Sequence, residues 1–393
     1  MIFPRKIQKE LIKYVFSPEI IVLTGMRRVG KTTLYQSIFN SIESKNKAFF
    51  DLENPIVQKI FEEIDYNNIV LNLKEYGITS AEKAYIFLDE IQAMPSIVKV
   101  VKYLYDHVGF KFFLTGSSSF YLKNLFPESL AGRKFVFNLR PLDFEEFLTF
   151  KGIEKESFVD LIQRDRYKNF IRYQRLKGAY EEYLNYGGFP QVVLEEDITR
   201  KKMHLHDILK SYFEKDVQNL AKFREVQLFR DLLLLLIARV GSKLDIARLA
   251  SELGTSRETI YSYLSFLQDT FFITLVPPFT GSMDKLVSKA KKGYFCDTGI
   301  VSEFAKVSDG ALCENAVFNA LSQFNNIHYY QRRSGREIDF ILDSRIGIEV
   351  KLKGIPGDFE RLKTISTTIG LPECYVVSKE FVDYEGIISV VDL

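Results

Sequence analysis

The sequence predicts an α/β chain: a doubly wound parallel sheet first, then a helical stretch, then a second and smaller α/β unit. Three observations carry this. In the first third, short continuous apolar runs alternate with helical periodicity, as strands buried on both faces of a parallel sheet require. From about Leu142 to Val226 the pattern turns to helices rich in charge and aromatics, broken at Tyr186 to Pro190 (YGGFP). Beyond Pro277-Pro278 and Gly281-Ser282, strand-like alternation returns.

Element by element, Ile20 to Leu23 is a strand, a glycine-containing loop follows, and Thr33 to Phe39 has apolar residues at helical spacing. Ala48 to Phe50, Tyr85 to Leu88 and Lys111 to Leu114 read as further buried strands, with a helix at Ile97 to Tyr105 and a fifth strand at Phe135 to Phe137. Alternation of this kind implies right-handed βαβ units. The charged helices after Leu142 read as a lid. Next come an amphipathic Leu244 to Leu253, a turn at Gly254-Thr255, and Thr255 to Glu258 (TSRE) as a capping box. A helix with Ile260, Tyr263, Leu264 and Leu267 on one face follows, then a strand at Phe271 to Val276, the layout of a winged helix. The last unit has a helix at about Leu312 to Phe324 and strands at Ile327–Gln331, Glu337–Leu342 and Ile346–Lys351. The expected domains are 1–150, 151–226, 227–282 and 283–393.

A length of 393 residues allows two or three cores. The net charge of +2 excludes nucleic-acid binding through global charge, so any such contact must come from a local patch. Cys296, Cys313 and Cys374 are far apart, with no CxxC pair and no neighbouring His, which argues against a disulfide framework or a zinc site. The longest apolar run, Leu232 to Ala238, has seven residues, and no apolar segment follows the basic start. The expectation is a cytoplasmic protein with no membrane partner.

Gly25 to Thr32 (GMRRVGKT) fits G-x4-G-K-[ST] in full, directly between a strand and a helix. Such a loop turns backbone N–H groups inward around phosphates, so Gly25, Arg28, Gly30, Lys31, Thr32 and Thr33 are the candidate nucleotide-binding residues. Lys31 reaches β/γ oxygens and the Thr32 hydroxyl can ligate Mg²⁺. Asp89 and Glu90 end a buried strand at the edge where open α/β sheets place ligands. Asp89 would hold Mg²⁺ and Glu90 would polarise the attacking water. Ser117, with Thr115 as the alternative, could sense the γ-phosphate. Arg133 could complete a neighbouring subunit's site, with Arg140 competing for that role.

These segments, with Leu114 to Ser118 (LTGSS), Leu130 to Arg133 (LAGR), Pro141 to Phe147 (PLDFEEF) and Gly187 to Pro190 (GGFP), occur in one order along nearly the whole chain. Together they resemble a prokaryotic group of AAA-type ATPases that carry a C-terminal domain of poorly known function. The resemblance implies an AAA-type core, a winged helix, a restriction-endonuclease-like end, and ATP rather than another nucleotide. It also raises a homo-oligomer.

In the last unit, Asp339 stands nine residues before Glu349-Val350-Lys351, the spacing of PD-(D/E)xK nucleases, with Ile338 where the motif name has proline. Glu349 and Lys351 share a strand face. Glu314, Asp339 and Glu349 are candidate ligands for Mg²⁺ or Mn²⁺, and Lys351 for orienting the attacking water. Two basic clusters could meet DNA: Lys285, Lys289, Lys291 and Lys292, and Arg332, Arg333 and Arg336 beside Tyr329-Tyr330. Arg257 is the single positive residue of the expected recognition helix. Three functions compete: hydrolysis coupled to DNA binding or cleavage, a nucleotide-switched binding protein whose nuclease fold is inactive, or a signal-transducing ATPase.

Overall fold

The computed structural model describes residues 3–116, 130, 132–156, 158, 160–217, 223–280, 289–324, 326–331 and 337–393. It divides the chain into two compact units, 1–140 with 269–271, and 141–268 with 272–393.

The first unit holds α1 (Lys6–Ile12), β1 (Ile20–Thr24), α2 (Lys31–Ser41), β2 (Lys47–Asp51), α3 (Pro55–Phe61), α4 (Tyr66–Lys74), β3 (Tyr85–Asp89), α5 (Ile97–Tyr103), β4 (Lys111–Gly116) and β5 (Lys134–Asn138). The five strands form one parallel sheet in the order β2-β3-β4-β1-β5. β1, β3 and β4 are buried along their whole length, which is why their sequences are unbroken apolar runs rather than alternating ones. One sheet face is closed by aromatics. Phe87 stacks on Phe113 with centroids 4.2 Å apart, and Tyr35 meets both edge-on. Burying each such ring contributes about 1.5–3 kcal/mol. The order places β1 between β4 and β5, so the loop leaving β1 lies beside the ends of both.

The second unit begins with α6 (Phe144–Phe150), α7 (Leu161–Arg166), α8 (Phe170–Tyr186), α9 (Pro190–Leu194), α10 (Ile198–Tyr212) and α11 (Phe223–Ala238). Tyr186 to Pro190 does break the helices, and the two glycines have a packing reason. Gly187 has φ of 75°, and a Cβ there would lie 2.1 Å from Asp297 Oδ1. The Asp297 carboxylate accepts from Gly188 N at 2.6 Å and Ile300 N at 3.1 Å. The motif is a docking point for a buried aspartate.

α12 (Ile246–Glu252), α13 (Arg257–Asp269), β6 (Ile273–Val276) and β7 (Lys292–Phe295) come next, the two strands forming an antiparallel ribbon. The cap of α13 falls one residue later than the TSRE pattern suggests. Gly254 has φ of 61° and Thr255 N donates back to Ala250 O, so Ser256 is left to accept from Thr259 N at 3.1 Å.

The chain ends with α14 (Thr298–Phe304), α15 (Asp309–Leu321), β8 (Ile327–Gln331), β9 (Glu337–Leu342), β10 (Ile346–Lys351), α16 (Pro356–Thr368), β11 (Glu373–Ser378) and β12 (Ile387–Ser389). The sheet order is β12-β11-β10-β9-β8, antiparallel across β8-β9-β10 and parallel across β10-β11-β12. Among the described residues no helix is long and apolar enough to cross a membrane.

Candidate functional site

The loop after β1 is built by glycine. Gly25 has φ of 148°, and a Cβ on it would sit 2.2 Å from Leu139 O, so only glycine lets the chain turn this close to β5. Gly30, φ 97°, is the left-handed N-cap of α2. Arg28 between them is also left-handed at φ 66°. The Lys31 ammonium is buried and donates to the carbonyls of Gly25 and Met26, each at 3.0 Å. Thr32 and Thr33 open α2 and are exposed.

The acidic pair meets this loop. The Thr32 hydroxyl donates to Asp89 Oδ2 at 2.7 Å. Thr115, fully buried on β4, donates to Asp89 Oδ1 and accepts from Glu90 N at 2.9 Å. Burial pushes the Asp89 carboxyl above its usual range, and the Thr115 and Thr32 hydrogen bonds pull it partly back. Glu90 is left-handed at φ 54°, a conformation that costs a non-glycine residue of order 1 kcal/mol and turns it out of the strand. Gln92 Nε2 donates to Glu90 Oε2. Thr24 Oγ1 and Asn138 Oδ1, opposite each other on β1 and β5, are buried without a hydrogen-bond partner beside the loop.

Thr115 thus holds both acids, whereas Ser117 lies outside the described residues. Arg133 precedes β5, at the sheet edge opposite the loop, roughly 16 Å along the strand. Its Nε is 2.8 Å from Asp106 Oδ1. Arg140 follows β5 on the loop's own edge. A residue absent from the motif, Arg5, clamps this edge: Nη1 donates to Val29 O at 2.8 Å and Nη2 to Arg140 O at 2.7 Å.

The C-terminal carboxylates each meet a cation of the chain. The buried Lys292 ammonium lies 2.6 Å from Glu337, 3.3 Å from Glu314 and 3.7 Å from Asp339. Tyr294 donates its hydroxyl to Glu314 at 2.5 Å, and Asp339 Oδ2 accepts from Val350 N at 2.8 Å. Burial lowers the Lys292 ammonium, but the charges of Glu314, Asp339 and Glu337 outweigh it and hold it above its ordinary value. Burial, then the Glu314 charge, pushes the Asp339 carboxyl up to about 7. Glu349 Oε1 instead pairs with Lys351 at 2.8 Å and Arg361 at 2.9 Å, while its buried Oε2 has no hydrogen-bond partner. Among the described residues no three His, Cys, Asp or Glu side chains are placed to hold a metal. Each of the expected ligands Glu314, Asp339 and Glu349 thus already meets a cation: Lys292 stands beside the first two, and Lys351 and Arg361 pair with the last.

Lys292 is likewise no phosphate contact, being buried on carboxylates. Lys285, Arg332, Arg333 and Arg336 lie outside the described residues. Lys289 and Lys291 line a groove of about 580 Å³ with Lys243, Arg257 and the exposed Tyr261.

Residues 17–148 match the AAA domain, 177–310 a domain of unknown function (DUF8612), and 309–393 a second one (DUF4143). The chain is 31% identical to uncharacterized protein MJ1544 of Methanocaldococcus jannaschii, over 82% of this chain and 72% of that protein. It is 30% identical to uncharacterized protein MJ1637 of the same organism, over 92% and 83%. The solved Aeropyrum pernix ORC2 protein, in an ADP form, aligns over 68% of this chain and 85% of its own at 14% identity, with a TM-score of 0.37, too low an overlap to bear on function.

Proposed function

The chain belongs to the AAA-domain family of Methanocaldococcus jannaschii MJ1544 and MJ1637, and from that premise we propose that it is a Mg²⁺-dependent ATPase whose hydrolysis is coupled to DNA binding by its second unit. The observation that carries the ATPase reading is the continuous contact from Thr32 through Asp89 and Thr115 to Glu90 beside a loop that only glycine can form. Lys31 would exchange its two carbonyl partners for β/γ-phosphate oxygens. Thr32 and Asp89 would hold Mg²⁺, which supplies charge neutralisation at the phosphates when bound. The hydroxyl and carboxylate oxygens already in contact there are the hard donors this ion prefers. Glu90, steadied by Gln92, orients the attacking water and takes its proton. Arg133, on the far sheet edge, serves a neighbour's site in a homo-oligomer rather than its own.

The test is ATP turnover by the wild type, Lys31→Ala and Glu90→Gln. Lys31→Ala should lose nucleotide binding. Glu90→Gln should still bind ATP but hydrolyse it about 100-fold more slowly. Turnover by Glu90→Gln at the wild-type rate would remove Glu90 from catalysis.

We read α12, α13 and the β6-β7 ribbon as a winged helix, and β8 to β12 with α15 and α16 as a restriction-endonuclease-like fold, with domains near 1–150, 151–226, 227–282 and 283–393. The groove lined by Lys243, Arg257, Lys289 and Lys291 supports DNA contact, because four cations flank an exposed aromatic. Duplex binding measured against salt should give a linear log–log slope, shallower by about 2 in the double variant Arg257→Ala, Lys289→Ala. An unchanged slope places the contact elsewhere. Cleavage is the less favoured use, since Lys292 stands among the carboxylates that would hold its metal.

A further inference from the structure

We infer that Lys292 takes, in the acidic pocket of the second unit, the place that a divalent cation would need, so that this pocket is closed by the chain itself and works without metal. A divalent ion bound by Glu314, Glu337 and Asp339 would have to lie about 2.0–2.6 Å from their oxygens, inside the cage those three side chains form. The Lys292 Nζ already lies within 2.6–3.7 Å of all three. An ammonium and a divalent ion cannot share that point, and their repulsion in a buried site would be strong.

The Lys292 ammonium is carried on a backbone that is itself held in place. Its backbone is paired on one side with Val276 in the β6-β7 ribbon and bridged on the other to Lys243. Leu244 N donates to Lys291 O at 2.9 Å, and Gly241 N to Gly293 O at 2.9 Å, so the residues on either side are also fixed. The ammonium stands 5.7 Å from the Tyr329 ring centroid, whose hydroxyl donates to Ala290 O at 2.6 Å. Removing a buried lysine from three carboxylates would leave uncompensated charge in the interior, which is strongly destabilising. Lys292 is therefore a latch between the ribbon and the C-terminal sheet, made from the acids whose spacing suggests a nuclease.

The strongest contrary feature is Glu349 Oε2, buried and without a hydrogen-bond partner. One such oxygen does not make a metal site, because Glu349 Oε1 is already held by the cations of Lys351 and Arg361.

The experiment is Mn²⁺ binding to nucleotide-free full-length protein, followed by electron paramagnetic resonance, with Asp89→Asn in every sample to silence the first unit. With Lys292 intact, no stoichiometric Mn²⁺ should bind. Adding Lys292→Met, checked for folding by circular dichroism, should gain one Mn²⁺ per chain and lose it again with Asp339→Asn. The inference is overturned if the protein with Lys292 intact binds one Mn²⁺ that Asp339→Asn or Glu349→Gln removes. It is also overturned if a folded Lys292→Met protein binds none, since the carboxylates would then be no cation cage. Should Lys292→Met fail to fold, the samples with Lys292 intact decide alone. Hydrolysis of ATP is read separately through Glu90→Gln, so the two readings fail independently.

Discussion

Thr115→Val is the sharpest perturbation of the nucleotide site, because valine keeps the shape of threonine and deletes only its hydroxyl. That hydroxyl donates to Asp89 Oδ1 and accepts from Glu90 N, and the residue is fully buried. Leaving two buried polar groups short of a partner costs about 1–3 kcal/mol each, so a loss near 3 kcal/mol is expected. For a unit of this size that is roughly 10 °C in Tm. Turnover should fall by about 10- to 100-fold, because both acids lose the contact that positions them. The pH dependence has a definite sign. Burial already raises the Asp89 carboxyl, and Thr115 is among the groups that lower it. Without the hydroxyl the carboxyl rises further, so more of it is protonated at pH 6 than at pH 8. The wild-type-to-variant activity ratio should therefore be larger at pH 6. Steady-state hydrolysis at both pH values, with thermal unfolding alongside, measures all three effects. Thr115→Ser should restore them. A valine variant with wild-type turnover and an unmoved Tm would refute the positioning role outright.

Arg5→Ala removes two hydrogen bonds that tie the loop at Val29 to the chain after β5, and should raise KM for ATP about tenfold with a smaller change in kcat. Lys in its place should not rescue, since one ammonium cannot reproduce a planar fork. Gly25→Ala should abolish nucleotide binding in equilibrium titration, because its Cβ would lie 2.2 Å from Leu139 O at a φ of 148°. Burial pushes the Asp297 carboxyl up to about 6, against N–H bonds from Gly188, Ile300 and Gly299. An unfolded chain releases this proton first, so between about pH 4 and pH 6 the folded state loses up to roughly 3 kcal/mol. Asp297→Asn has no such titration. The Tm difference between variant and wild type should shift in favour of the variant across that window.

What could be read from the sequence was what neighbouring residues decide. Gly25, Gly30, Lys31 and Thr32 lie within one turn of chain, and Asp89 and Glu90 end a strand whose five residues are all buried. Strand positions on the first sheet followed from continuous apolar runs; the structure extends every strand by one or two residues at its C-terminal end and starts only β2 and β5 a residue earlier. Arg5 and Gln92 could not be assigned, because their roles rest on contacts that no spacing signals. Arg5 meets Arg140 across a separation of 135 residues. The Gly187-Gly188 break was visible, but its partner Asp297 is 109 residues on. Lys292 shows the same limit with a larger consequence. In the sequence it is the last of several lysines beside a turn, which reads as a solvated face. Its burial follows from β7 pairing with β6, a fact of topology.

The two acidic sites differ in the kind of group that meets the carboxylate, and this decides what each can accept. Asp89 is bound by two hydroxyls, neutral donors that hold its position and leave its negative charge available to a cation. Glu349 is bound by an ammonium and a guanidinium, and Glu314, Glu337 and Asp339 share another ammonium. Full charges already spend that attraction inside the fold. A carboxylate held by hydroxyls gains more from an arriving metal than one held by a fixed cation, because only the second must first lose a partner of the same sign. The pattern of acids in a sequence therefore proposes a metal site, and the charge of their nearest donors decides whether the fold keeps it open.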